Sequence, residues 1–149
     1  MKRGFTLIEL LVVIAVIGVL SATVLASLNN AREKGSNAAI KSSINNARSQ
    51  AELYYADNTL SYLNVCNTGV LAGGLTKGIY DLALNAASSN GGVVGTDVLC
   101  ASDANTWALT ARLRGTPINW YCVDSTGVAT TSIIANDVAA GADYTCAVD

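Results

Sequence analysis

From Phe5 to Leu28 the chain runs for 24 residues with one charged side chain among them. As a helix rising roughly 1.5 Å per residue, that run would measure about 36 Å. A bilayer's hydrocarbon core is about 30 Å thick. Lys2 and Arg3 precede the run, and Arg32 and Lys34 follow it beyond Asn29-Asn30. The lone charge is Glu9. A charged residue near the bilayer centre costs about 2.5–3.5 kcal/mol on insertion scales, so an intramembrane carboxylate is by default a functional residue. Two plain readings exist, a membrane anchor and a secretory signal cut after Val24-Leu25-Ala26 to leave Ser27 first. Glu9 argues against both, because neither gains from a buried carboxylate.

Gly4-Phe5-Thr6-Leu7-Ile8-Glu9 resembles the leader junction of type IV prepilins and of the related pseudopilins of type II secretion. The resemblance is close over about the first 30 residues and looser beyond. It implies that residues 1–4 are a leader, cut by a prepilin peptidase between Gly4 and Phe5. Phe5 then becomes a methylated amino terminus. It also implies that Phe5, Thr6 and Glu9 act in filament assembly. Phe5 and Glu9 are four apart and are expected on one face of a helix. There the Glu9 carboxylate could pair with the Phe5 amine of a neighbouring copy. A lone buried charge is strongly destabilising, so such a pair would enforce register more than add affinity. One departure concerns the helix itself. Gly18 matches the family's central glycine, but the region where many members carry proline reads Thr23-Val24-Leu25-Ala26, and the only proline is Pro117. A proline kink is excluded.

The length of 149 residues suits one small domain behind the helix. Without Lys2 and Arg3, seven basic side chains face eleven acidic ones, and no basic block lies beyond the helix. No nucleic-acid partner is therefore expected. Four cysteines, Cys66, Cys100, Cys122 and Cys146, are widely spaced, and the chain has no histidine. Zinc patterns and C-x-x-C redox chemistry are absent. An even cysteine number beyond a membrane segment reads as two disulfides. Three pairings are possible. Cys66–Cys100 and Cys122–Cys146 are favoured, the second resembling the C-terminal disulfide loop of many pilins.

Ile40, Ile44, Ala47, Ala51 and Tyr54 recur at helical spacing and predict an amphipathic continuation to about Asp57, packed on the head. Glu33 to Asn37 interrupts the pattern and is a place for a bend. The domain organisation is thus leader 1–4, a membrane or filament-core half of the helix at 5–28, an amphipathic half at 29–57, and a disulfide-bonded head at 58–149. Ser61 to Ser102 reads as irregular, with a short helix at Tyr80–Ala87 and glycine turns. Thr106 to Arg114 alternates, placing Trp107, Leu109, Ala111 and Leu113 on one face, opposite Arg112 and Arg114. After a turn at Gly115-Thr116-Pro117, Ile118, Trp120 and Cys122 are expected on the inner face of a second strand ending near Asp124. Val128–Ile134 is a third. Both tryptophans are expected in the core, and Arg112, Arg114, Asp97 and Asp103 in solvent.

The expected fold class is α+β, a long N-terminal helix whose second half packs on a small antiparallel sheet. No catalytic constellation, cofactor or metal site is expected. The resemblance implies a structural subunit of a type IV pilus-like filament, held once across the cytoplasmic membrane and then displayed at the cell surface. It implies as partners copies of the chain itself, prepilin peptidase, and the pilus assembly platform and ATPase machinery. The alternatives are a pseudopilin of type II secretion, a competence pilus subunit, or a secreted protein behind an ordinary signal.

Overall fold

The computed structural model describes residues 4–66, 79–133 and 144–146, the Ala26 side chain excepted. In chain order these form α1 (Leu7–Asp57), α2 (Tyr80–Asn90), β1 (Val98–Ser102), β2 (Trp107–Arg112), β3 (Trp120–Asp124) and β4 (Ala129–Ser132). The fold is α+β and pilin-like, a long N-terminal helix with a small antiparallel sheet. The chain divides into two compact units, Met1–Lys34 and Gly35–Asp149.

In the first unit α1 presents large apolar side chains in every direction. The large apolar residues between Leu7 and Leu28 are exposed all round, including Leu11, Val12, Ile14 and Ile17. The helix is long and apolar enough to cross a membrane by length and composition. Gly18 has open space where a Cβ would stand, so its place in a helix costs about 1 kcal/mol relative to Ala without any close contact here to require it.

In the second unit the same helix is one wall of a core. Ile40, Ile44, Ala47, Ala51 and Tyr54 are fully buried, as their spacing predicts. They pack in one cluster with Trp107, Leu109, Ala111 and Val123 from the sheet and Ala83, Ala86 and Ala87 from α2. The helix stops at Asp57 because Thr59 and Leu60 take left-handed backbone (φ 52° and 59°), and the Leu60 N–H turns back to the Tyr55 carbonyl at 3.0 Å. Side-chain amides fasten its polar flank. Asn37 donates Nδ2–H to the Arg114 carbonyl at 2.9 Å and accepts the Arg114 N–H on Oδ1 at 2.7 Å, as a neighbouring strand would.

The sheet is an antiparallel meander in the order β1-β2-β3-β4. β1 lies within the stretch expected to be irregular. Its five residues show no alternation of burial, because α2 packs over this end of the sheet and the Cys66–Cys100 bond ties it to the helix–sheet connection. The short helix also runs three residues beyond Ala87, to a left-handed cap at Gly91.

The inner face of β3 is the reverse of the one expected. Leu109 pairs with Val123 and Ala111 with Tyr121, so Tyr121 and Val123 share the core side with β2's apolar residues. Trp120 is half-buried outside that cluster, and Ile118 is 49% exposed. The physical reason is burial on both faces. Cys122, opposite Thr110, is covered by its bond to Cys146 rather than by the helix. Alternation cannot choose a face when both are covered. Of the third expected strand, β4 covers Ala129–Ser132, and Ile134 lies outside the described residues.

Candidate functional site

The site read from sequence is the start of α1. Lys2 and Arg3 lie outside the described residues. Gly4 and Phe5 precede the helix in non-helical backbone, and Phe5 is 81% exposed. A peptide bond in such a segment can enter a protease cleft without unwinding a helix. Phe5 stands just ahead of the helix, yet it lines one groove with Glu9, four residues on. α1 begins at Leu7, after a stop at Thr6.

Thr6 and Glu9 make a reciprocal cap. The Thr6 hydroxyl oxygen accepts the Glu9 N–H at 3.3 Å. The Glu9 Oε2 accepts the Thr6 N–H at 2.9 Å and the Thr6 O–H at 2.7 Å. Two backbone donors that a helix start leaves orphaned are thereby satisfied. Caps of this kind contribute about 0.5–2 kcal/mol to a helix. The signal was in the sequence, as Thr-x-x-Glu ahead of an apolar run is the capping-box pattern; the assembly reading of both residues obscured it. Both bonds that the carboxylate accepts end on Oε2 and leave Oε1 without a partner among the described residues.

Phe5, Ile8, Glu9, Val12 and Val13 line one open groove of about 400 Å³. Glu9 is its one charged member. The groove can therefore accept an apolar helix carrying a cation at a matching height. Residues 1–25 match the protein family described as "Prokaryotic N-terminal methylation motif".

The N-terminal segment carries that methylation motif.

Two curated relatives match part of the chain. One is the type IV wide pilus major component PilA4 of Thermus thermophilus, 41% identical over 56 residues, which is 38% of this chain and 43% of the relative. The other is the type II secretion system core protein G of Dickeya chrysanthemi, 40% identical over 58 residues, 39% of this chain and 38% of the relative. The chain spans about two-fifths of the length of these relatives. No solved structure gives a significant match.

Away from the methylation motif, the four cysteines form two bonds in the second unit, Cys66–Cys100 and Cys122–Cys146. Loops of 34 and 24 residues correspond to about 3–4 kcal/mol each in the loop-closure account. Beside the second bond, the buried Asp124 gathers the N–H groups of Thr126 and Val128, the Thr126 hydroxyl and the N–H of Cys146.

The acidic residues expected in solvent divide. Asp103 caps a tight turn, and the N–H groups of Thr106 and Asn105 hold its carboxyl below the usual range. Asp97 is 15% exposed and paired with Arg112 Nε at 2.9 Å, so neither is a solvated loop charge. Among the described residues no group of three His, Cys, Asp or Glu side chains is placed to hold a metal ion. Near the end of α1, burial and then a hydrogen bond to Glu52 push the Tyr62 phenol up to about 12.

Proposed function

We propose that the chain is a structural subunit of a type IV pilus-like filament, processed between Gly4 and Phe5 and assembled through α1. The observation that carries the reading is the union of a match to a methylation motif at residues 1–25 with a helix start whose apolar groove holds one carboxylate, half-satisfied among the described residues. Before assembly, α1 sits across the cytoplasmic membrane, and the Thr6 cap gives Glu9 a hydrogen-bonded state there. On assembly, the Phe5 amine that cleavage releases on one copy meets the Glu9 Oε1 of another. Exchange of lipid for sister helices brings little hydrophobic gain, so packing and this pair direct the step. A head-to-tail contact that does not close gives a fibre rather than a ring.

The partial relatives support a pilus and a secretion pseudopilus alike, and the pilus subunit is the reading we favour. Prepilin peptidase, assembly platform and ATPase are the partners such a life cycle requires, and the fibre's destination is the cell surface. The deciding experiment is intact mass with N-terminal fragmentation of protein sheared from cells. A chain starting at methylated Phe5 in pelletable fibres is expected. The processed chain confined to the membrane fraction would select the pseudopilus. A soluble chain starting at Ser27 would overturn the reading.

A further inference from the structure

Cations are scarce beyond the first unit. Residues 35–149 carry five Lys or Arg against nine Asp or Glu. Two of those five, Arg112 and Arg114, line a single cleft of about 310 Å³ with Asn90, Leu113, Gly115 and Ile118.

The cleft is held by a fixed backbone. Asn90 is 7% exposed; its Nδ2–H goes to the Arg112 carbonyl at 2.9 Å, and its Oδ1 accepts the Gly92 N–H at 2.6 Å. A Cβ on Gly92 would come within 2.5 Å of both Asn90 and Asp97, so that packing admits only glycine. On the other side Asn37 clamps both backbone groups of Arg114. The Arg112 side chain, 40% exposed, meets Asp97 through Nε, which among the described residues leaves the terminal nitrogens of its fork for another acceptor. The Arg114 guanidinium lies alongside Gly91 and has no acidic partner among the described residues. A guanidinium fork matches a carboxylate geometrically, and preorganised donors lose little entropy on binding.

The apolar members decide between anions. Leu113 and Ile118 suit the methylene stem of an aspartate or glutamate. A nucleic-acid backbone would require a track of cations, and one cleft with two arginines is not a track. Each copy of this acidic chain carries both this cationic cleft and an excess of carboxylates, which is the charge complementarity of a head-to-tail contact. We propose that this cleft binds an acidic side chain of a second copy of the chain. The inference rests on the filament reading.

The test places a benzoylphenylalanine at the exposed position 118 of the full chain in cells and irradiates both fibres and membranes. The expected product is a covalent dimer whose joined peptide contains an Asp or Glu. Arg114→Glu is expected to cut fibre yield about ten-fold while Arg114→Lys stays within about three-fold, in line with the penalty for like charges across an interface. Converting the cross-linked acid to Lys in the Arg114→Glu chain is expected to restore the yield. Fibres that form with cross-links confined to one chain, or an Arg114→Glu chain with normal yield, would overturn the proposal. A wild-type chain without fibres would instead overturn the filament reading. The cleft would then stand on a copy-to-copy cross-link in membranes and fall without one.

Discussion

The two halves of α1 are built from one backbone conformation and opposite surfaces. From Leu7 to Leu28 the apolar side chains face outward all round, and a carboxylate and its cap stand at the start. From Ile40 to Tyr54 a narrow stripe is sealed in a core; on the polar flank Asn45 accepts the Tyr121 O–H from β3, and Asn37 bonds to the backbone of Arg114 just past β2. A helix apolar on one stripe folds with its own chain; one apolar all round must find lipid or other helices. The first half is therefore unfinished in the single subunit, whereas the second is complete. Assembly and folding can then be changed separately.

The sharpest break of that comparison is Glu9→Leu. Fibre yield is expected to fall about ten-fold or more, because an unpaired amine is left buried, while unfolding of the second unit is unchanged. Normal fibre yield would sink the pairing. Next comes a matched pair in detergent, Ile44→Ala against Ile14→Ala. The first is expected to lower head stability by about 2–5 kcal/mol and the second not measurably, read from the fluorescence of the buried Trp107. Equal losses would mean that the two halves are one cooperative unit. Replacing Cys122 and Cys146 together by Ala should cost the head about 3–4 kcal/mol in the same denaturation curves, with insertion of the first half unaltered.

A smaller effect lies at high pH. The Tyr62 phenol is raised from 10.0 to about 12, so the folded state favours its protonated form. The stability this provides is complete below about pH 10 and is lost as pH rises through about 12. Burial also raises the Tyr54 phenol, so absorbance titration should show late tyrosines, of which Tyr62→Phe removes one; a normal titration for every tyrosine would contradict the burial and the Glu52 bond. The smallest change is Gly18→Ala, expected to raise helicity of the first half by about 1 kcal/mol in detergent without touching the head.

The sequence was legible where one physical requirement acted alone. The 24-residue run, the stripe from Ile40 to Tyr54 and the alternation of β2 each answer a single solvent boundary. Reading failed where two boundaries met. β3 is covered on one side by the helix and on the other by a disulfide partner, so a two-residue period pointed Trp120 and Cys122 the wrong way. β1 sits under α2 and lost its alternation. Arg112 and Asp97, fifteen positions apart, showed no local sign of pairing, because only the β1–β2 hairpin brings them together. At the site itself, Glu9 stood out by its charge, but its hydrogen bonds to Thr6 were hidden behind the role expected of it in another copy.

Asp124 also affects how the cysteines find each other. A buried carboxylate that grips the Cys146 N–H at 2.7 Å holds that residue against β3 by a contact that involves no sulfur. If the same grip forms while both thiols are still reduced, it raises the local concentration of one around the other. Oxidation then becomes the closing of an assembled joint, and errors of pairing with Cys66 or Cys100 are disfavoured before any oxidant arrives.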